Sequence, residues 1–243
     1  MKYIIFGFEH YNPLGIARSL GENGINPYGI IIKNSRKITS KSKYFKQVFF
    51  VNSIEEEYDL LKSRFTDDQN FIFSSDDQVE FFLDEHYDEL QDRFIFFNAG
   101  QKGRVAYFQN KYNILKMAEK HGIPFLKTWT VDKGEIPEDI QYPIITKAII
   151  STLDNWKGDM IICHNENDLR NAYKVIRSPK VLLQKYIVKK NELCMEGCSV
   201  NRGEDVLISI ASTYNYKLDD SYSPYMTVSN LENGELRKKL KEM

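Results

Sequence analysis

The sequence predicts an α/β protein whose first hundred residues form a parallel sheet covered by helices on both faces. Short segments rich in aromatic and β-branched residues alternate there with segments of helical spacing. This alternation is typical of parallel sheets, because a crossover helix must return the chain before the next strand can pair. The pattern changes near Gly100-Gln101-Lys102-Gly103, where a second region begins.

Each element of the first region has its own signal. The expected strands are apolar runs over residues 2–6, 27–32, 45–51, 70–73 and 94–97. Helices are expected over residues 14–22, 54–65 and 76–83. Asn23-Gly24 ends the first of these, and Ser74-Ser75-Asp76-Asp77 supplies caps and early acids for the third. The acidic residues between 76 and 92 are expected to face solvent.

The second region opens with a helix over residues 111–121, which Asn110 caps and Gly122 ends. Lys111 falls on the apolar stripe of this helix, one turn before Ile114. A lysine in a first turn opposes the helix dipole, so its position requires a reason.

The remaining elements follow from apolar runs and turn residues. Strands are expected over residues 123–131, 143–150, 160–164 and 181–187, and helices over 167–176 and 232–243. Asn201-Arg202-Gly203-Glu204 predicts the turn of a hairpin between strands at 193–200 and 206–213.

Lys147 is the first residue that points to function. Alternation along the strand places it on the same face as Ile145 and Ile149. A buried ammonium without a partner costs several kcal/mol, so an anion such as a nucleotide phosphate is expected to meet it. The alternative is a lysine that extends its ammonium from the sheet edge to solvent.

Composition excludes several classes of protein. The net charge of −1 gives no reason to expect nucleic acid or an anionic membrane surface as a partner, and no apolar run approaches the length of a membrane span. The three cysteines show no metal-ligand spacing. We therefore expect a reduced, cytoplasmic protein that holds no metal on its cysteines.

The order of these segments resembles the ATP-grasp superfamily, which includes biotin carboxylase, the large subunit of carbamoyl phosphate synthetase and ligases related to D-alanine–D-alanine ligase. Four features carry the resemblance: Asn110-Lys111-Tyr112, the strand from Tyr142 to Ala148, Gln184-Lys185-Tyr186-Ile187, and Glu192 shortly after it. It implies a Rossmann-like preATP-grasp domain at 1–103, a smaller lobe at 104–183 and the start of a larger lobe at 184–243.

The resemblance also implies a set of ATP-binding residues. Lys111 and Lys147 would contact phosphates. Gln184 and the backbone of Lys185 and Ile187 would hold adenine, and Glu192 would contact the ribose. The loop after Lys147 would close over the phosphates through Thr152, Lys157 and Gly158, although it has one glycine where relatives have several. Asp154 and Asp159 in that loop would repel phosphate unless a cation intervened.

The implied function is ATP-dependent ligation of a carboxylate to an amine through an acyl phosphate. His10 and Lys217 are candidate contacts for the carboxylate substrate. The family's magnesium ligands lie in a later strand pair with no counterpart here, so we expect a truncated chain. Mg²⁺ is expected only with the missing segment, in the same polypeptide or in a partner chain.

Two alternatives remain open from the sequence. The chain could be a non-catalytic nucleotide-binding subunit that a partner chain completes. It could instead be a Rossmann-type oxidoreductase, with Lys33-Asn34-Ser35-Arg36 near a 2′-phosphate. The stretch from Gly7 to Gly15 lacks the Gly-x-Gly-x-x-Gly spacing that pyrophosphate binding requires, which disfavours the oxidoreductase.

Overall fold

The computed structural model describes residues 1–34, 38–66, 69–149, 158–188, 192–201, 204–215 and 227–230. The predicted helix over 232–243 lies outside them, as do Thr152, Asp154, Lys157 and Lys217. The described residues form two compact units, one of Met1–Phe125 and one that begins at Leu126.

The first unit contains a five-stranded sheet in which all neighbouring strands are parallel. Its strand order is β3-β2-β1-β4-β5. The strands are β1 (Tyr3–Phe8), β2 (Tyr28–Ile32), β3 (Gln47–Val51), β4 (Asn70–Ser74) and β5 (Phe94–Ile95). The helices are α1 (Tyr11–Glu22), α2 (Ile54–Arg64), α3 (Asp77–Glu85), α4 (Tyr87–Leu90), α5 (Arg104–Gln109) and α6 (Lys111–Lys120). The predicted parallel sheet is confirmed.

Helices cover both faces of this sheet, also as predicted. Ile4 and Ile30 pack in one buried cluster with residues of α2 and α3. Ile5 and Ile31 point to the other face, where they pack with Ala17 of α1. Successive side chains of a strand point to opposite faces, so β1 and β2 contribute to both clusters.

One acidic residue of α3 departs from the expectation of a solvated face. Asp84 is 1% exposed, and one of its carboxylate oxygens accepts a hydrogen bond from the N–H of Ala106 at 3.0 Å. This bond fastens α5, which the sequence analysis missed, to α3. The expectation is therefore wrong for Asp84, because the carboxylate serves as an internal acceptor.

The second unit begins with a four-stranded sheet of order β6-β9-β7-β8, in which every pair is antiparallel. Its strands are β6 (Thr128–Asp132), β7 (Ile144–Ala148), β8 (Ile162–Cys163) and β9 (Lys180–Lys185), and its helix is α7 (Glu166–Val175). The apolar side of α7 packs on one face of this sheet through Leu169, Ala172 and Tyr173. Strand β6 begins at Thr128, later than expected.

A separate sheet follows in the order β10-β11-β12, formed by β10 (Glu192–Val200), β11 (Asp205–Asn215) and β12 (Thr227–Asn230). The antiparallel pairing of β10 with β11 confirms the predicted hairpin. Its register shifts between Glu196 and Gly197, which pair with Ile210 and Ile208, so β11 has a bulge at Ser209. Among the described helices, none is both long and apolar enough to cross a membrane.

Candidate functional site

Three polar side chains on strands β6, β9 and β7 form a hydrogen-bonded chain in the second unit. The Nζ of Lys147 donates to Oε1 of Gln184 at 2.7 Å, and Nε2 of Gln184 donates to Oγ1 of Thr128 at 2.9 Å. The hydroxyl of Thr128 in turn donates to the carbonyl of Leu126 at 2.8 Å. Each group thus has a defined donor or acceptor role.

The register of the sheet explains why these side chains meet. Gln184 lies opposite Thr128 in β6 and opposite Ile145 in β7. Lys147 is two residues beyond Ile145, so its side chain points to the same face, at the diagonal position next to Gln184. The predicted shared face of Lys147 and Ile145 is confirmed.

This face is the one opposite helix α7. The α7 side of the sheet contains Ile144 and Leu183, which pack in the α7 cluster. Lys147 lies instead beside Ile145 and Leu182, which are 5% and 2% exposed. Lys147 itself is half-buried. Because Gln184 is neutral, its bond orients the ammonium without neutralising the charge.

Gln184 was expected to contact adenine. In the structure its amide also forms hydrogen bonds with Lys147 and Thr128. Lys147 and Thr128 fix which end of the amide is oxygen and which is nitrogen, since one partner donates and the other accepts. Thr128 was missed in the sequence analysis. Its hydrogen bond with Gln184 depends on the pairing of β6 with β9, which no local sequence pattern predicts.

The linker after Gln184 leaves the sheet with its first two N–H groups already bonded. The N–H of Lys185 donates to the carbonyl of Lys127 at 3.0 Å, and that of Tyr186 donates to the carbonyl of Pro143 at 2.9 Å. The side chains of Lys185 and Ile187 are exposed. A ligand beside this segment would therefore meet the carbonyl, not the N–H, of Lys185.

Lys111 is the first residue of α6, in the first unit. The side chain of Asn110 accepts from the N–H of Tyr112 at 3.0 Å, which confirms the predicted cap. Partial burial lowers the pKa of the Lys111 ammonium, and the charge of Asp77 opposes this effect. A lysine whose charged form is partly desolvated in this way is suited to meet an anion.

The loop after β7 is described from Gly158 onward. Gly158 is exposed, whereas Asp159 is 2% exposed. The Asp159 carboxylate accepts from the N–H groups of Arg177 and Ser178 at 3.1 and 3.2 Å, and its main-chain carbonyl accepts from Oγ1 of Thr146 at 2.6 Å. Asp159 thus fastens the turn after α7, a role different from the expected repulsion of phosphate.

The other candidates lie at strand ends. His10 is exposed at the N-cap of α1, just beyond the carboxyl end of β1, with its ring centroid 3.8 Å from that of Tyr11. The carboxyl ends of parallel strands are where α/β folds bind ligands. The backbone of Glu192 pairs with Tyr214 at the start of β10. Its side chain lies outside the described part.

The N–H groups at the carboxyl end of β1 are not available to a pyrophosphate. Three consecutive N–H groups are used internally: Gly7 donates to Glu57 at 2.8 Å, Phe8 to Asp76 at 3.3 Å and Glu9 to the carbonyl of Ile32 at 3.0 Å. Dinucleotide folds present such groups to the cofactor. The structure therefore argues against the oxidoreductase alternative.

No cluster of metal-ligating side chains occurs in the described part of the chain. Nowhere in it do three or more side chains of His, Cys, Asp or Glu come close enough together to hold a metal ion. Magnesium prefers one or two carboxylates together with phosphate oxygens and water. We accordingly assign no step to a metal on these residues.

Comparison with known proteins gives matches among solved structures. No family model matches the chain, and no curated protein matches it. It is similar to an L-amino acid ligase from Bacillus licheniformis, with a TM-score of 0.70 at 11% identity, over 100% of this chain and 58% of that one. It is also similar to an N5-carboxyaminoimidazole synthetase from Staphylococcus aureus complexed with ADP, with a TM-score of 0.71 at 13% identity, over 98% and 62%.

A third match is a D-alanine–D-alanine ligase from Bacillus anthracis complexed with ATP, with a TM-score of 0.61 at 12% identity, over 100% of this chain and 75% of that one. The chain spans about three fifths of the length of the first two. At these identities the likeness is one of fold, and it extends over both units. The chain therefore shares the fold of these solved ligases and synthetase, as the resemblance to the ATP-grasp superfamily implied.

Proposed function

We propose that this chain binds ATP for the ATP-dependent ligation of a carboxylate to an amine. The observation that carries the proposal is Lys147, a half-buried lysine oriented by the neutral amide of Gln184 on a sheet face that α7 does not cover. An oriented ammonium in a partly desolvated position is suited to a phosphate. The solved structures of similar fold include complexes with ADP and ATP, which supports a nucleotide as the ligand.

In this proposal the nucleotide is held at both ends. Lys111 and Lys147 contact phosphates, and Thr152, Lys157 and Gly158 close over them. Adenine lies beside the linker, where its amino group donates to the carbonyl of Lys185 and its ring nitrogen accepts from the N–H of Ile187. Gln184 places Lys147 and borders the adenine, and Glu192 binds the ribose hydroxyls.

The reaction needs no nucleophilic side chain. An oxygen of the substrate carboxylate attacks the γ-phosphorus, the bond to the β-phosphate oxygen breaks, and ADP leaves. The amine then attacks the acyl carbon, inorganic phosphate leaves, and the amine loses a proton. Lysines stabilise the negative charge of the transferred group. His10 and Lys217 are the candidate contacts for the carboxylate.

Magnesium, if bound, would supply positive charge that stabilises the transferred phosphoryl group. Because the described residues contain no cluster of three or more metal-ligating side chains, we infer that its carboxylate ligands come from elsewhere in this polypeptide or from a partner chain. Nucleotide binding and turnover are therefore separate parts of the proposal.

Calorimetric titration of the full chain with ATP, ADP, adenosine and NADH tests the binding part. We expect ATP and ADP to bind, adenosine to bind more weakly because it lacks phosphates, and NADH not to bind. Tight NADH binding without ATP binding would restore the oxidoreductase. Adenosine affinity equal to that of ATP would remove the phosphate role of the lysines.

A further inference from the structure

The first unit contains a cavity of about 380 Å³ formed by α5, the loop before it and α6. The side chains that matter for its chemistry are Lys102, Arg104, Tyr107, Phe108 and Met117. None of them belongs to the nucleotide site proposed above. Small-molecule sites begin at roughly this size, on the order of 300 Å³.

Cationic and aromatic groups lie next to each other in this cavity. Arg104, Tyr107 and Phe108 share one face of α5, because they are three and four residues apart. The guanidinium carbon of Arg104 is 5.7 Å from the Phe108 ring centroid. The Tyr107 and Phe108 rings meet edge to face, with centroids 5.4 Å apart and an interplanar angle of 85°.

The charges in the cavity are not balanced by nearby acids. Among the described residues, no carboxylate lies within ion-pair distance of Lys102 or Arg104. Tyr107 is 48% exposed and Met117 is 36% exposed. Two cations and a partly exposed apolar surface on one wall favour a ligand with an anionic group and a flat apolar body.

Hydrogen bonds hold the wall of the cavity in place. Asp84 accepts from the N–H of Ala106 at 3.0 Å, and Gln109 donates to the carbonyl of Asp77 at 3.2 Å, so α5 is fastened to α3 at two points. Asn113 of α6 donates to the carbonyl of Tyr107 at 2.9 Å. These hydrogen bonds fix the wall of the cavity, which lowers the entropic cost of binding.

We propose that this cavity binds a small planar aromatic anion, such as an aromatic carboxylate or an aryl phosphate. The anionic group pairs with Lys102 and Arg104, and the ring lies against Tyr107, Phe108 and Met117. None of its lining residues belongs to the proposed nucleotide site, so we expect that ATP does not displace the anion.

Titration of the full chain with benzoate, phenyl phosphate, benzyl alcohol and acetate tests this proposal. The signal is the isotope-labelled methyl group of Met117, assigned with Met117→Leu. We expect at least one aromatic anion to shift this signal with a Kd on the order of 1 mM, a value typical of ligands this small. Benzyl alcohol lacks the charge and acetate lacks the ring, so each should bind at least about tenfold more weakly.

The variants Lys102→Met and Arg104→Met should each weaken anion binding about tenfold, the effect of one charge-assisted contact. Lys120→Met, at an exposed position of α6, is the matched control and should change nothing. The relative affinity of benzoate and phenyl phosphate distinguishes a carboxylate from a phosphate ligand. Equal affinity for benzyl alcohol, unchanged affinity in both charge variants, displacement of the anion by ATP, or no shift of the Met117 signal would each overturn the proposal.

Discussion

The ammonium of Lys147 and the amide oxygen of Gln184 are 2.7 Å apart, across the pair of strands β7 and β9. This hydrogen bond joins two neighbouring strands. The group that accepts it, the amide of Gln184, is neutral. A carboxylate at the same place would cancel the charge, whereas the amide only holds it in position. The pair is therefore suited to orienting a cation toward a ligand.

Replacing Lys147 with methionine keeps an unbranched apolar side chain and removes the charge. We expect the affinity for ATP to fall about tenfold, as for the loss of one charge-assisted contact, and thermal stability to change little. Lys180→Met is the control, since Lys180 lies on β9 and pairs with Asp132 at 2.7 Å. Calorimetric titration should show normal ATP affinity in the control. Normal affinity in Lys147→Met would make Lys147 a structural residue.

Gln184→Glu replaces the amide with a carboxylate of the same shape. We expect the affinity for ATP to fall about tenfold, because the new charge pairs with Lys147 and repels phosphate. Thr128→Val removes the hydroxyl that accepts from the amide and donates to the carbonyl of Leu126, and it should have a smaller effect. Titrations of both variants should show this order. A larger loss in Thr128→Val would mean that Thr128 contacts the ligand itself.

The linker predicts a preference for adenine. The N–H of Lys185 already donates to Lys127, so its carbonyl is the group that can meet a purine. The amino group of adenine can donate to that carbonyl, whereas the O6 of guanine would repel it. We expect GTP to compete at least about tenfold more weakly than ATP in a displacement assay. Equal competition would place the base elsewhere.

Glu57 predicts a dependence of stability on pH. Burial raises the pKa of its carboxyl well above the usual range; the hydrogen bond from Gly7 opposes this and the charge of Asp76 adds to it. The folded state therefore holds the Glu57 proton more tightly than the unfolded state does. Its contribution to stability is fully present below the ordinary pKa and is lost as the pH rises toward the folded-state pKa.

Glu57→Gln should remove this loss, because the amide cannot ionise and its oxygen can still accept from Gly7. At neutral pH the variant should be more stable by about 1.4 kcal/mol for each unit by which folding raises the pKa. Its advantage should shrink as the pH falls toward 4.5. Urea unfolding across this range measures the difference, and Asp59→Asn, exposed on the same helix, is the control. A constant difference at all pH values would contradict this account.

We expect the replacement of Asp159 to destabilise the second unit. Asp159→Ala removes the acceptor of two main-chain N–H groups at the end of α7, so the free energy of unfolding should fall by about 2 kcal/mol. Asp168→Ala is the matched control: its less buried carboxylate accepts one N–H, that of His164, at 2.9 Å, and a smaller loss is expected. Chemical unfolding measures both. An equal loss of unfolding free energy in both variants would mean that the burial of Asp159 does not add to the stabilisation.

The sequence predicted features that depend on neighbours along the chain. Alternation was enough to place Lys147 beside Ile145, and the cap of α6 was visible at Asn110. The bond from Gln184 to Thr128 was not predictable, because it depends on pairing between strands 56 residues apart. Helix α5 has six residues, too few to show a helical period.

The sequence contains a pattern that distinguishes the buried Glu57 from the acidic residues before it. Glu55, Glu56 and Glu57 are three identical residues in a row, yet only Glu57 is fully buried. Its spacing explains the difference, since Glu57 is four residues before the buried Leu61 and shares its face of α2. From composition alone, all three glutamates would be expected on a charged surface. Their positions along the helix show that Glu57 lies on the buried face.

Strand β7 limits how this protein can be recombined with its structural relatives. Thr146 and Lys147 are adjacent, but one is fully buried opposite Leu183 and the other lies opposite Leu182 on the far face. Inserting or deleting one residue within β7 would exchange the two faces and bring the ammonium against α7. A chimera that joins this strand to foreign flanking segments must therefore conserve residue parity, and a two-residue change would be tolerated better than a one-residue change.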